Sequence, residues 1–124
     1  MTPARIAACV LFGARIAYGA ALIAAPARLA RRWLGPPSSL PPTQVPLRGL
    51  GAREVLLHAG GLAAALSGAP VRPWVAASVA GDLSDIGASA AGRDGLPDGA
   101  AAATLAVAGA SALLSVAVGV AVDG

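Results

Sequence analysis

The stretch GAAAATLAVAGASALLSVAVGVAV, Gly99 to Val122, runs for 24 residues without a charge. As an α-helix it would be about 36 Å long at 1.5 Å per residue, enough to cross a hydrocarbon core of about 30 Å. Three more apolar stretches precede it, at about residues 6–25, 47–66 and 71–91. Turn-forming residues separate them: Gly92-Arg93-Asp94-Gly95-Leu96-Pro97 before the last, and Ser67-Gly68-Ala69-Pro70 before the third. Between the first and second lie the basic strip Arg28-Leu29-Ala30-Arg31-Arg32-Trp33, read as an interfacial anchor, and a Pro-rich loop over 35–46. Pro46 closes that loop and falls in the first turn of a helix beginning near Leu47. The pattern predicts one all-α domain over residues 1–124, an up-down four-helix transmembrane bundle.

Composition points the same way. Of the 124 residues, 56% are hydrophobic and 12% charged, about half the charge of an ordinary soluble domain. Mean hydropathy is +0.72. A soluble fold of this length could not hide so much apolar surface. Every one of the nine basic residues is Arg, in keeping with a coding bias toward Ala, Gly and Pro, and the net charge is +3. Nucleic-acid binding is excluded, because several of these Arg lie in or beside apolar segments and few aromatic residues accompany them. A single Cys9 rules out an internal disulfide and a Cys-based zinc site. The first stretch is not read as a cleaved signal, since it is too long and carries Arg15 in its middle. Arg28, Arg31, Arg32 and Arg93 fall in the first and third loops, and Arg5 and Arg72 on the other side. The positive-inside rule then predicts a multi-pass protein of the cytoplasmic membrane with both termini outside.

The decisive residues for function are charges inside the apolar stretches: Arg15, Arg48, Arg53, Glu54, Asp82 and Asp85, with His58. In a membrane helix such groups are costly, turned inward and paired. Helical spacing sorts them. Glu54 and His58, four apart, share a face, and Arg53 lies about 100° round from Glu54. Ser78, Asp82, Asp85 and Ser89 form one polar stripe. Phe12, Arg15, Tyr18, Gly19 and Leu22 share a face of the first helix, and Thr104, Ala108, Ser111, Ser115 and Gly119 form a small-residue stripe suited to close packing. Three Arg balance three acids, so Arg15 and Arg53 are predicted to contact Glu54, Asp82 or Asp85. Asp82 and Asp85, like charges one turn apart, would favour a shared proton. Asp82, Asp85, Glu54 and Arg53 are therefore the candidate catalytic residues, and Arg15, Tyr18 and His58 the candidate binding residues. The adjacent Arg groups neutralise the carboxylates, so neither a metal nor a cofactor is expected. Gly49-Leu50-Gly51-Ala52-Arg53 lacks the strand and Lys-Ser/Thr ending of a phosphate loop.

Arg15-Ile16-Ala17-Tyr18-Gly19 with Pro26 closing the first helix, Arg48-Gly49-Leu50-Gly51-Ala52-Arg53-Glu54 opening the second, and the Asp82/Asp85 pair in the third resemble the small four-helix membrane proteins of the DoxX-like superfamily, in particular actinobacterial members with a Gly-x-Arg-Asp/Glu motif. The resemblance spans nearly the whole chain through short motifs. It implies a four-helix bundle in the cytoplasmic membrane and carries Arg53, Glu54 and Asp82 as family-like polar positions without assigned roles. Members are linked to quinone or thiol redox systems and to biosynthetic clusters, and a lone Cys9 fits a thiol role poorly.

Three functions follow. The first is cofactor-independent acid–base chemistry, such as isomerisation, cyclisation or epoxide opening, on a lipophilic small molecule arriving from the lipid bilayer. The second is a structural or accessory subunit, packed on a partner membrane protein or a second copy, whose ion pairs only set helix register. The third is a small proton-coupled transporter, disfavoured because Arg15 stands in the first helix where such exporters carry a Glu.

Overall fold

The computed structural model describes residues 1–124 and is all-α, with five helices and no strands. They are α1 (Pro3–Ala24), α2 (Pro26–Leu34), α3 (Pro41–Ser67), α4 (Arg72–Ala91) and α5 (Ala100–Asp123), with short 3-10 turns at Pro36–Ser39 and Arg93–Gly95. Two of them, α1 and α5, are long and apolar enough to cross a membrane.

Local chemistry sets the boundaries. Thr2 caps α1 by accepting from the Arg5 N–H at 3.2 Å, with Pro3 in the first turn. Pro26 stops the helix, because the residue before a proline is pushed out of the helical region. Ala25 accordingly leaves it (φ −140°, ψ 63°), and Pro26 opens α2 as its first residue. The basic strip is thus a helix in its own right, an element the sequence reading did not foresee. Gly68 (φ 81°) ends α3 in the left-handed region that glycine tolerates, and the Ala69 N–H reaches back to the Ala64 carbonyl at 3.0 Å.

The expected loop over 35–46 is corrected. Helix α3 begins at Pro41, not near Leu47, and Pro46 lies inside it. Pro41 and Pro42 occupy positions whose N–H groups have no helical partner in any case. The Thr43 and Gln44 N–H groups donate to the Leu40 carbonyl at 3.0 and 3.2 Å, so the helix is nucleated ahead of Pro46, which removes only one internal hydrogen bond.

Packing pairs α1 chiefly with α3 and α4 chiefly with α5, and contacts of α1 with α5 and of α3 with α4 close the ring. The α1–α3 seam is tight at Gly19 and Gly51. A Cβ on Gly51 would stand 2.6 Å from the Gly19 carbonyl oxygen, and one on Gly19 would stand 2.8 Å from the Glu54 Cβ. Farther along, Gly61 makes room for the Phe12 ring and Gly60 for Trp74. At one end the Arg5 guanidinium donates to the carbonyls of Ala64, Ala65, Gly68 and Ala69 at 3.1–3.4 Å, a cation on the negative end of α3. At that same end the Arg72 N–H meets the Asp123 carboxylate at 2.7 Å.

Two apolar clusters result. One joins Ala8, Phe12, Ala64, Ala65, Val71 and Val75, with Cys9 against it; the other joins Leu22, Ala30 and Leu47. The polar residues of α1, α3 and α4 lie between them. Only 24 of 124 residues are buried, and Ile6, Val10, Leu56, Leu83, Leu105 and Leu113 are among the large apolar side chains left on the outside.

Candidate functional site

Arg15 is the centre of the polar layer. Its Nε donates to Glu54 Oε2 at 3.1 Å and its Nη2 to Glu54 Oε1 at 3.3 Å. Nη1 and Nη2 donate to the two oxygens of Asp82 at 3.2 and 2.9 Å. Nη1 also bonds the Ser111 hydroxyl. One guanidinium therefore ties α1 to α3, α4 and α5. The side chains are 15%, 12% and 5% exposed for Arg15, Glu54 and Asp82, so these are largely dry, two-pronged pairs of the strong kind.

His58 lies beside this network on the face it shares with Glu54. Its Nδ1–H donates to the Glu54 carbonyl oxygen at 2.7 Å and stands 3.4 Å from the Glu54 carboxylate. A carbonyl only accepts, so Nδ1 carries the proton; in the neutral ring Nε2 then accepts from the Ser78 hydroxyl at 2.9 Å. Both residues are fully buried. Ser78→Ala would strand a buried nitrogen, and we expect a loss of about 1–3 kcal/mol in thermal unfolding. Ser84→Ala, on the exposed side of the same helix, removes only a local bond to the Ala80 carbonyl and should leave the melting curve close to wild type.

Next to Arg15 is a cavity of about 580 Å³, lined by residues of all five helices. Glu54, Asp82 and Asp85 reach it, with Leu50 and Ala108 among its apolar walls. Leu29, Arg32 and Trp33 of α2 cover one end, and the Trp33 indole N–H donates to Ser89 at 2.9 Å, holding α2 to α4. Tyr18, 48% exposed, stands on the rim. Asp85 is half-buried in the cavity wall, and its carboxyl makes no hydrogen bond or ion pair within the chain.

The predicted set is thus divided. Arg15, Glu54, Asp82, Asp85 and Tyr18 share the cavity. His58 is nearby but does not line it, and both its nitrogens are engaged. Arg53 is corrected: it is exposed and contacts none of the acids, because the 100° step that turns Glu54 inward turns its neighbour outward. Arg48 also lies outside, where its Nε donates to the Ile23 carbonyl at 3.2 Å. The expected balance of three Arg against three acids therefore does not hold inside, where Arg15 faces Glu54, Asp82 and Asp85 with only Arg32 added at the cavity's edge. No three His, Cys, Asp or Glu side chains converge as a metal-ion set.

No family model, curated protein or solved structure matches this chain.

Four participants are not marked as such in the sequence. Ser111 was placed in a packing stripe, yet it bonds Arg15; a hydroxyl on a small-residue face has no signature that separates the two uses. Leu29, Arg32 and Trp33 belong to the strip that reads as an interfacial anchor, yet they line the cavity. Their i, i+3, i+4 spacing is the available sign that they share one face of a helix.

Proposed function

We propose that this chain is a multi-pass four-helix bundle of the cytoplasmic membrane, related to the DoxX-like proteins, whose central cavity performs acid–base chemistry on a lipophilic molecule delivered through the bilayer. The outward apolar side chains on α1, α3, α4 and α5 support the membrane reading, since water leaves them uncovered and lipid does not. The ionisable groups of α3 and α4 that face inward support it too. Arg48, an outward cation, lies in the first third of α3, where a long side chain extends toward headgroups. Arg28, Arg31, Arg32 and Arg93 on one side favour cytoplasmic placement of that side, with both termini outside.

Asp85 is the observation that carries the chemistry. Glu54 and Asp82 are occupied in holding Arg15, whereas Asp85 presents an unpartnered carboxyl to an apolar cavity large enough for a small molecule. Such a group can donate or accept a proton in an isomerisation, a cyclisation or an epoxide opening. Arg15 serves here as a positioning residue for the acids.

The test is made on protein reconstituted in nanodiscs. Native mass spectrometry should find a co-purifying lipophilic molecule on the wild type and none on Ala108→Trp, which fills the cavity. Asp85→Asn should turn that molecule over more slowly by about 100-fold or more at saturation. Turnover at the wild-type rate would defeat the acid–base reading, and equal ligand content in Ala108→Trp would defeat the cavity as its place.

One observation favours a second reading. Arg15 meets a residue of each of the other three long helices, which is what a register lock in an accessory subunit would need. That role accounts for Glu54 and Asp82 but leaves Asp85 and the cavity unused.

A further inference from the structure

Arg15 has five N–H donors, and all five are engaged: Nε with Glu54, Nη1 with Asp82 and Ser111, Nη2 with Glu54 and Asp82. A guanidinium filled in this way has none left for an incoming carboxylate, sulfonate or phosphate. The cavity beside it holds Glu54, Asp82 and Asp85 against Arg15 and Arg32, three ionisable acids to two cations. Arg32 is exposed on α2, so its charge is largely spent on the surroundings. Asp85 has no partner in the chain. A charge removed from water needs an opposite one beside it, and Tyr18 and Trp33, which also line the cavity, add aromatic rings of the kind that attract cations.

We infer that the ligand of this cavity is a lipophilic amine or quaternary ammonium, its cationic group met by Asp85 and its apolar body lying along Leu29, Leu50 and Val107. The inference rests on the reading of the cavity as a ligand site and adds the sign of the ligand's charge. It also places the ligand's cationic group at the carboxyl assigned to proton transfer, which, ionised against that cation, can accept a proton from a carbon beside the nitrogen but has none to donate. Anionic amphiphiles are excluded by the same geometry, because no free cation lies deep in the cavity to receive them.

Three probes test it on protein in nanodiscs of zwitterionic lipid, with empty discs as the partition reference. They are 4-phenylbutyl-trimethylammonium, the neutral hydrocarbon in which carbon replaces its nitrogen, and 5-phenylpentanoate. The wild type should bind the ammonium about tenfold or more tighter than the hydrocarbon, through charge and cation–π attraction, and the carboxylate most weakly. Asp85→Asn should erase that preference and still bind the hydrocarbon as the wild type does, which shows that the cavity has formed. Arg53→Gln should keep the wild-type ranking. A preference for the hydrocarbon or the carboxylate overturns the inference and leaves the cavity reading standing. An ammonium preference that survives in Asp85→Asn overturns the role given to Asp85. Binding of no probe above empty discs overturns both.

Discussion

An Arg15→Met protein is expected to lose about 3–5 kcal/mol of stability, the cost of stripping one partner from a buried ion pair. Met fills much of the same space, so the loss is electrostatic. Glu54 and Asp82, largely buried and now facing each other without the guanidinium between them, are left as uncompensated acids. Ser111 and the α1 attachment to three helices are lost in the same step. Thermal unfolding in detergent measures the effect. Neutralising the acids as well, in Arg15→Met/Glu54→Gln/Asp82→Asn, should recover a large part of it, because removing a whole buried network costs far less than breaking it. Arg15→Lys should recover little: an ammonium has three donors and no planar fork, and cannot make two-pronged bonds to carboxylates on two helices. A melting temperature unchanged in Arg15→Met would show that the network does not hold the helices.

Gly51→Leu is expected to be comparably damaging for a steric reason. The added Cβ would fall 2.6 Å from the Gly19 carbonyl oxygen and 3.1 Å from the Ile23 backbone nitrogen. These are backbone atoms of α1, which cannot rotate away, so the helices must separate. Even Gly51→Ala should cost about 1–3 kcal/mol through overpacking, and Leu more. The seam also sets the distance between Arg15 and Glu54, since a Cβ on Gly19 would press on the Glu54 Cβ. Loss of stability should therefore come with weakened ion pairing. Gly49→Ala, two residues away with open space around it, is the control, and equal melting of the Gly51 and Gly49 variants would refute the tight seam.

How far these features could be read from sequence depended on periodicity. Ser78, Asp82, Asp85 and Ser89 recur at helical spacing on an apolar helix, and that alone turns them toward the interior, where Ser78, Asp82 and Ser89 are buried. The same rule, applied one residue at a time, would have sent Arg53 outward once Glu54 was placed inward. Counting charges hid this, because composition weighs Arg15, Arg48 and Arg53 alike while rotation about the helix axis separates them. The prolines misled for a related reason. Pro41, Pro42 and Pro46 read as a loop by residue type, yet two sit where helices accept proline and the third removes a single bond. The five-donor arrangement of Arg15 was beyond reach, since it joins four helices whose relative rotation no local pattern encodes.

That arrangement also bears on biogenesis. The partners of Arg15 lie 39, 67 and 96 residues farther along the chain. During synthesis Arg15 emerges first, gains Glu54, then Asp82, and reaches Ser111 only when α5 is made. Contacts so distant in sequence are closed late, after the loop entropy between them has been overcome. The polar layer is therefore complete only once α5 has joined the other helices, and until then Arg15 and its acids stand without their full set of partners.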